Sequence, residues 1–276
     1  IKPNLMSATA LITGASQGIG KATALFFAKN GYDLIITART KDTLEATAAE
    51  IRTLGHQVLA ISSDVGDRSA VEALVNLGLE RFNTIDVLIN NAGVCITAPM
   101  ASTTIEDWEK IINVNLWGYI YTIKALLPHF LERKQGNIIN VGSFGGKVPL
   151  PMMTAYCTSK FAVTGLTETL RLELEPQGIH VSGIHPSVTN SDFMERAIFK
   201  DGDPQEEAKR REAMANMLAS PLTSSPQDVA QAIWDAVKHP QAEVIVGAAK
   251  VPTFLHRIFP GITQGMLQLT TKSNPQ

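Results

Sequence analysis

Tyr156 and Lys160 are the residues of this sequence whose types and spacing most directly suggest chemistry. They lie four positions apart, so they share one face if the segment is helical, and Ser143 lies thirteen residues before Tyr156. A free tyrosine titrates near about 10, and a neighbouring ammonium group lowers that pKa because it favours the phenolate. We therefore expect Tyr156 to protonate a carbonyl oxygen or to deprotonate an alcohol. The spacing by itself also fits a tyrosine packed against a lysine stem at a surface.

The composition favours a globular protein with a substantial core. The chain has 276 residues, of which 45% are hydrophobic and 18% charged, a balance that suits an open α/β sheet folded as one unit. Its formal net charge is -2 and no patch is dense in Lys and Arg, so we expect no nucleic-acid partner. Cys95 and Cys157 form no disulfide framework and fit a reducing compartment, which favours a cytoplasmic location. We expect no bound metal.

The sequence predicts no integral membrane segment, because no run of about eighteen uninterrupted apolar residues occurs. The first six residues show no signal-peptide pattern, and position 1 is not Met. A removed N-terminal leader and a peripheral association with a membrane therefore both stay open.

Short apolar runs alternate with longer helical patterns along most of the chain. The runs are β-branched or aliphatic and apolar on both faces, as buried parallel strands are. They cover residues 8–13, 33–37, 57–61, 87–90, 137–141, 180–184 and 243–246. The helical patterns cover residues 18–30, 42–54, 68–82, 104–132, 155–175 and 227–238. This alternation predicts an α/β fold, a single Rossmann-like domain over residues 1–276 with a doubly wound parallel sheet of about seven strands and helices on both faces.

Two stretches depart from this rhythm. Residues 187–225 form a long insertion with a charged helical piece at 203–217, and a long connection at this point is a candidate substrate lid. Residues 248–276 form a tail with scattered Phe, Leu, Ile and Pro. The tail could pack on the body of the protein, on a neighbouring subunit or on a membrane surface. The first two are favoured, because the basic amphipathic face expected of a membrane helix is weak.

A glycine-rich segment, Thr13 to Gly20, lies between the first predicted strand and an amphipathic helix. Its glycines permit a tight turn that a pyrophosphate can approach closely, and the helix N-terminus offers unpaired N–H groups. This context predicts a dinucleotide site rather than a plain turn. The expected contributors are Gly14, Ser16, Gln17, Gly18, Ile19 and Gly20.

The end of the second strand suggests which dinucleotide is preferred. Ala38 stands where a carboxylate would accept hydrogen bonds from an adenosine ribose, and Arg39 can bind a 2′-phosphate with two N–H groups. We therefore expect NADPH/NADP+ as the cofactor, with NADH less favoured. The alternative is that Arg39 only solvates a loop.

Polar and small residues follow the next two strands. Asp64 is placed to accept a hydrogen bond from the adenine amino group, with Val65 beside the ring. Asn91, Ala92 and Gly93 are expected to shape the backbone beside the nicotinamide half of the cofactor.

Taken in order, these motifs resemble those of the short-chain dehydrogenase/reductase family. The resemblance spans about residues 8–247 and rests on Thr13–Gly20, Asn90–Gly93, Asn115, Ser143, Tyr156 and Lys160. It implies that Tyr156 is the acid/base and that Ser143 polarises the substrate oxygen. Lys160 would bind the nicotinamide ribose and lower the Tyr156 pKa, and Asn115 would hold a proton-relay water. It also implies a homodimer or homotetramer.

The sequence departs from the family pattern after the sixth strand. By resemblance, Pro186, Thr189 and Ser191 would contact the nicotinamide. Ser187 stands where the family usually has glycine, which restricts positive φ there, and Ser191 replaces the usual threonine hydroxyl.

The expected reaction is hydride transfer between nicotinamide and the carbonyl or alcohol carbon of a mostly apolar small molecule. The pocket is expected to draw on Ser143, Phe144, Met153, Tyr156 and Phe193. Two alternatives stay open: epimerisation or dehydration on the same scaffold, and a non-enzymatic NADP-binding sensor.

Overall fold

A seven-stranded parallel sheet runs through the computed structural model of the chain, which describes residues 7–189, 197–200, 204–218 and 223–272. Its strands lie in the order β3-β2-β1-β4-β6-β7-β9, which confirms the predicted doubly wound α/β fold. They are β1 (Thr9–Thr13), β2 (Asp33–Ala38), β3 (Val58–Ser62), β4 (Val87–Asn90), β6 (Gly136–Val141), β7 (Ile179–Pro186) and β9 (Glu243–Val246). Each predicted strand is present, with its ends within one residue of the predicted bounds except at β7, which continues two residues further, to Pro186.

Helices cover both faces of this sheet. The helices before β7 are α1 (Gly18–Lys29), α2 (Lys41–Thr53), α3 (Arg68–Phe82), α4 (Ile105–Ile112), α5 (Gly118–Arg133) and α6 (Thr154–Leu174). The helices after β7 are α7 (Pro204–Leu218), α8 (Pro226–Lys238), α9 (Lys250–Ile258) and α10 (Pro260–Lys272). One buried cluster joins the sheet to α1, α2 and α8, and a second joins it to α3, α5 and α6. Both faces of the sheet are therefore buried, which explains why its strands are continuous apolar runs in the sequence.

The long helical pattern at residues 104–132 is interrupted. A π-helical turn, Asn113–Trp117, separates α4 from α5. A π turn adds one residue to a helical turn without removing the apolar stripe, so the sequence pattern does not reveal it. Such turns are frequent at functional sites, and this one carries Asn115.

Two further features were missed by the sequence prediction. Ile96–Thr97 (β5) and Ile198–Phe199 (β8) form a small parallel sheet of their own, which links the segment after β4 to the long connection after β7. The tail forms the helices α9 and α10. The helical piece predicted at 203–217 matches α7.

A chain of buried hydrogen bonds connects α5 to α6 through the sheet. The Thr122 hydroxyl donates to Asn90 Oδ1 at 2.6 Å, and Asn90 Nδ2 donates to Asn140 Oδ1 at 3.0 Å. Asn140 Nδ2 then donates to the Thr167 hydroxyl at 3.0 Å. Because each member is buried, removing one deprives each of its neighbours of one hydrogen bond in a dry environment.

We predict that Asn140→Leu lowers the free energy of unfolding by about 1–3 kcal/mol, because Asn90 and Thr167 each lose a buried partner. Urea unfolding measures this loss. The exposed Asn30 gives a matched control, since Asn30→Ala should change stability by less than about 0.5 kcal/mol. Equal, small effects of the two substitutions would show that the buried hydrogen bonds between α5 and α6 do not stabilise the fold.

Candidate active site

The glycine turn closes against the end of β4. Gly14 and Gly18 have φ of +66° and +53°, in the left-handed region that favours glycine. A Cβ on Gly20 would lie 2.1 Å from the Gly14 carbonyl oxygen, so only glycine fits there. Asn91 Nδ2 donates to the Gly14 carbonyl at 3.2 Å, and its backbone N–H donates to the Thr13 hydroxyl at 2.9 Å. The turn is therefore held in one shape by the residues that follow β4.

The hydroxyl groups of Ser143 and Tyr156 lie together at the carboxyl end of β6. Ser143 caps the short turn that follows this strand, and its Oγ accepts the Gly145 N–H at 3.1 Å. Tyr156 lies in the first turn of α6 and forms a hydrogen bond with Ser143. The two hydroxyl groups can thus reach a single substrate oxygen.

Lys160 lies one turn further along α6 and is 3% exposed. Its Nζ donates to the Val141 carbonyl at 2.9 Å and to the Tyr119 hydroxyl at 3.5 Å. The Tyr119 hydroxyl itself donates to the same Val141 carbonyl at 2.9 Å. Burial disfavours the charged form and lowers the pKa of Lys160 to about 8. The amine therefore gains and loses a proton close to neutral pH.

Burial also controls the pKa of Tyr156. The residue is 6% exposed, and loss of solvation raises the pKa of its phenol above the ordinary value. The hydrogen bond with Ser143 lowers the pKa, but by less than burial raises it. The sequence-based expectation of a lowered pKa is therefore wrong in sign, because desolvation outweighs every favourable contact. Tyr156 holds its proton at neutral pH and is ready to donate it.

The Asn115 side chain is held by protein groups, and its expected part in holding a proton-relay water stays a prediction. Its side chain is fully buried, with Oδ1 accepting the Val94 N–H at 2.8 Å. Its Nδ2 donates to the Val94 carbonyl at 2.9 Å and to the Ser159 hydroxyl at 3.0 Å. Both amide hydrogens are thus used by protein groups. In this structure, Asn115 joins the segment after β4 to α6 and does not line the cleft.

Sequence reasoning missed the supporting contacts of three residues: Thr13, Tyr119 and His185. Thr13 and Tyr119 hold the glycine turn and Lys160, as described above, and His185 lies on β7 with its ring beside Gly142. His185 is buried, and burial lowers its pKa to about 4, so its ring is neutral. Neither Tyr119 nor His185 has a local spacing that marks it, and the contact of Thr13 with Asn91 is distant in sequence.

One cleft of about 490 Å³ joins the glycine turn to the hydroxyl pair. Nearly all the predicted site residues line it: Gly14, Ser16, Gln17, Gly18, Ile19, Arg39, Asp64, Val65, Asn91, Ala92, Gly93, Ser143, Phe144, Met153, Tyr156, Lys160, Pro186 and Thr189. Gly20 and Asn115 lie behind its walls. Ser191 and Phe193 lie outside the described residues.

The far end of the cleft is formed by the ends of β2 and β3. The exposed Arg39 lies there with the hydroxyl groups of Thr40 and Thr43. Asp64 accepts the Gly66 N–H at 2.9 Å, and the buried Val65 packs beside Val114. Arg39, two hydroxyl groups and the Asp64 carboxyl group thus lie at one end of the cleft, and the hydroxyl pair and Lys160 lie at the other.

These features fit a dinucleotide. Gly14 and Gly18 line the cleft, and α1 begins at Gly18 with no acidic residue in its first turn, so the N-terminus of this helix can offer N–H groups to a pyrophosphate. Residues 8–201 match the family model of the short chain dehydrogenases. The chain belongs to this family. It is therefore an NAD(P)-dependent oxidoreductase.

Known proteins of this family resemble the chain over most of its length. The 3-oxoacyl-[acyl-carrier-protein] reductase of Synechocystis is 32% identical over 244 residues, 88% of this chain and 94% of that protein. A short chain dehydrogenase/reductase from Burkholderia phymatum in complex with NAD shares the fold, with a TM-score of 0.83 and 24% identity, over 93% of this chain and 95% of that chain. An alcohol dehydrogenase from the archaeon Thermococcus sibiricus, complexed with 5-hydroxy-NADP, has a TM-score of 0.74 and 28% identity. The match covers 87% of this chain and 96% of that chain.

We predict that Gly20→Ala weakens cofactor binding and lowers the free energy of unfolding by about 1–3 kcal/mol, because the new methyl group meets the Gly14 carbonyl. Titration of NADPH fluorescence and thermal unfolding measure the two effects.

Gly165 in α6 provides the matched control, since a Cβ there meets nothing within 4 Å. Gly165→Ala should bind the cofactor normally and gain up to about 1 kcal/mol of stability from helix propensity. Unchanged cofactor binding by Gly20→Ala would refute the assignment of this turn.

Proposed function

We propose that the chain is an NADPH-preferring carbonyl reductase or alcohol dehydrogenase that acts on a mostly apolar substrate. The observation that supports this most is the hydrogen-bonded pair of Ser143 and Tyr156 hydroxyl groups, set in the same cleft as the glycine turn.

Each hydroxyl group has a distinct task in reduction. When bound, the nicotinamide cofactor supplies the hydride that the carbonyl carbon receives. Tyr156 gives its proton to the carbonyl oxygen, a role that suits a phenol kept protonated by burial. The Ser143 hydroxyl donates a hydrogen bond to the same oxygen and holds it beside Tyr156. Hydride and proton together convert the carbonyl group to an alcohol, and oxidation reverses both steps.

Lys160 supports the proton transfer by Tyr156. Its ammonium group would hold the nicotinamide ribose and stabilise the Tyr156 phenolate that forms when the proton leaves. With a pKa of about 8, it is mostly charged at neutral pH and can also return a proton to that phenolate.

The substrate class follows from the walls beside the hydroxyl pair. Val94, Phe144, Leu150 and Met153 line this part of the cleft, and Met153 and Leu150 pack in one apolar cluster with Tyr156. These walls favour a ketone or secondary alcohol with an apolar body.

Arg39 carries the proposed preference for NADPH. It lines the far end of the cleft and is exposed, and Ala38 supplies no carboxylate at the end of β2. No ion pair joins Arg39 to an acidic side chain among the residues that the structure describes. Its guanidinium is thus available to a 2′-phosphate. One solved relative is in complex with NAD and another with 5-hydroxy-NADP, so family membership does not choose between the two cofactors and the proposal rests on Arg39.

We predict that Tyr156→Phe lowers kcat by about 100- to 10,000-fold with cofactor affinity nearly unchanged, because the ring stays and only the proton donor is lost. A panel of apolar ketones and alcohols, followed by NADPH absorbance, provides the measurement. Tyr121→Phe is the matched control, since that ring stacks on Trp117 and does not line the cleft. Near wild-type turnover by Tyr156→Phe contradicts the assignment, and so does an inactive Tyr121→Phe.

For the cofactor, we predict that Arg39→Ala lowers kcat/KM with NADPH by about 10- to 100-fold, the equivalent of one hydrogen-bonded charge. The value with NADH should change little, because NADH has no 2′-phosphate. Lys41→Ala, which removes an exposed basic residue outside the cleft lining, should leave both values unchanged. Equal losses with both cofactors, or a wild type that prefers NADH, would rule out this role.

A further inference from the structure

The apolar stripe of α9 faces solvent. Val251, Phe254, Leu255 and Ile258 recur at intervals of three and four, so they form one side of the helix. Phe259, directly after α9, and Ile262, in α10, are exposed as well. These six residues, here called the tail face, are each between 44% and 67% exposed.

The opposite side of α9 holds the helix in place. Thr253 is buried, as is Ala249 just before the helix. The His256 side chain contacts the Thr263 hydroxyl at 2.6 Å, which fixes α9 against α10. The helix thus packs through small and polar residues and presents its large apolar ones outward. An ordinary surface helix does the reverse, and a contiguous apolar patch of this kind marks an interaction surface.

The charge around the tail face has one sign. The whole chain has a formal net charge of -2, but residues 247–276 contain three basic and no acidic residues. Lys250 lies four positions before Phe254 and Arg257 lies three after it, so both flank the stripe. Long basic side chains at the border of an apolar face can reach toward phosphate groups while their stems stay on apolar surface.

We propose that the tail face binds the surface of an anionic lipid bilayer, with α9 lying in the plane of the headgroups. The sequence favoured packing because the basic face is weak, but the structure leaves the apolar stripe exposed, and an exposed stripe bordered by Lys and Arg is typical of interfacial helices. Anionic headgroups complement Lys250 and Arg257, whereas a second copy docked on the same face would bring like charges together. Among the described residues no helix is long and apolar enough to cross a bilayer, so the contact is with the surface.

The test is co-sedimentation of the full chain with vesicles, at low and high salt. One vesicle set is phosphatidylcholine alone, and the other contains phosphatidylglycerol as well. The variants are Phe254→Ser with Ile258→Ser, and Lys250→Glu with Arg257→Glu. Leu172→Ser is the control, since Leu172 is an equally exposed apolar residue on α6, outside the tail face. Thermal unfolding and NADPH turnover in solution show that each variant is folded.

The wild type should bind the anionic vesicles, and salt should weaken this binding. Each double variant should bind at least about tenfold less tightly, while Leu172→Ser binds as the wild type does. The proposal is overturned if the wild type does not bind the anionic vesicles, or if the double variants bind them as tightly as the wild type does. It is also overturned if light scattering shows an oligomer that the Phe254/Ile258 variant dissociates, because a second copy then covers the face. Because the readout is binding, failure here leaves the proposed reaction unaffected.

Discussion

A buried ammonium group must find oxygen partners, and the active site is built around the partners of Lys160. The Val141 carbonyl, at the last residue of β6, accepts hydrogen bonds from both Lys160 and Tyr119. This single oxygen thus joins α6 and α5 to the end of β6. The Lys160 amine also lies 5.3 Å from the centre of the Tyr119 ring. Without these contacts, the cost of burying the charge would turn the side chain outward, away from the cleft.

The position of Lys160 sets the positions of the groups above it. Tyr156 lies one helical turn earlier on α6, and Ser143 lies two residues beyond Val141. Fixing α6 against the end of β6 therefore brings the two hydroxyl groups together. Because the main sheet is parallel, the ends of β1 and β4 lie at the same edge, so the glycine turn and Asn91 are there too. A short local motif and the sheet topology together produce one cleft.

The sequence predicted those parts of the site that depend on local spacing. Tyr156 and Lys160 share a helix, and the buried strands are continuous apolar runs in the sequence. The acid/base pair and the strands could therefore both be predicted from the sequence. The sign of the Tyr156 pKa could not, because it depends on burial by segments distant in sequence. The side-chain partners of Asn115 could not be predicted either, because Val94 and Ser159 are distant from it in sequence. The π turn that carries Asn115 leaves no mark in the apolar pattern. The helices α9 and α10 were missed because their apolar residues suggested packing, whereas the structure places several of them at the surface.

The protonation of Lys160 itself tests this account most directly. Lysine labelled with ¹³C at Cε, with the Lys160→Arg variant used to assign the signal, allows its titration to be followed by NMR. The account predicts a midpoint near pH 8, because burial disfavours the charged amine more than its oxygen partners favour it. A midpoint near the ordinary value of about 10.4 would contradict the account, because it would show that burial does not disfavour the charged amine more than its oxygen partners favour it.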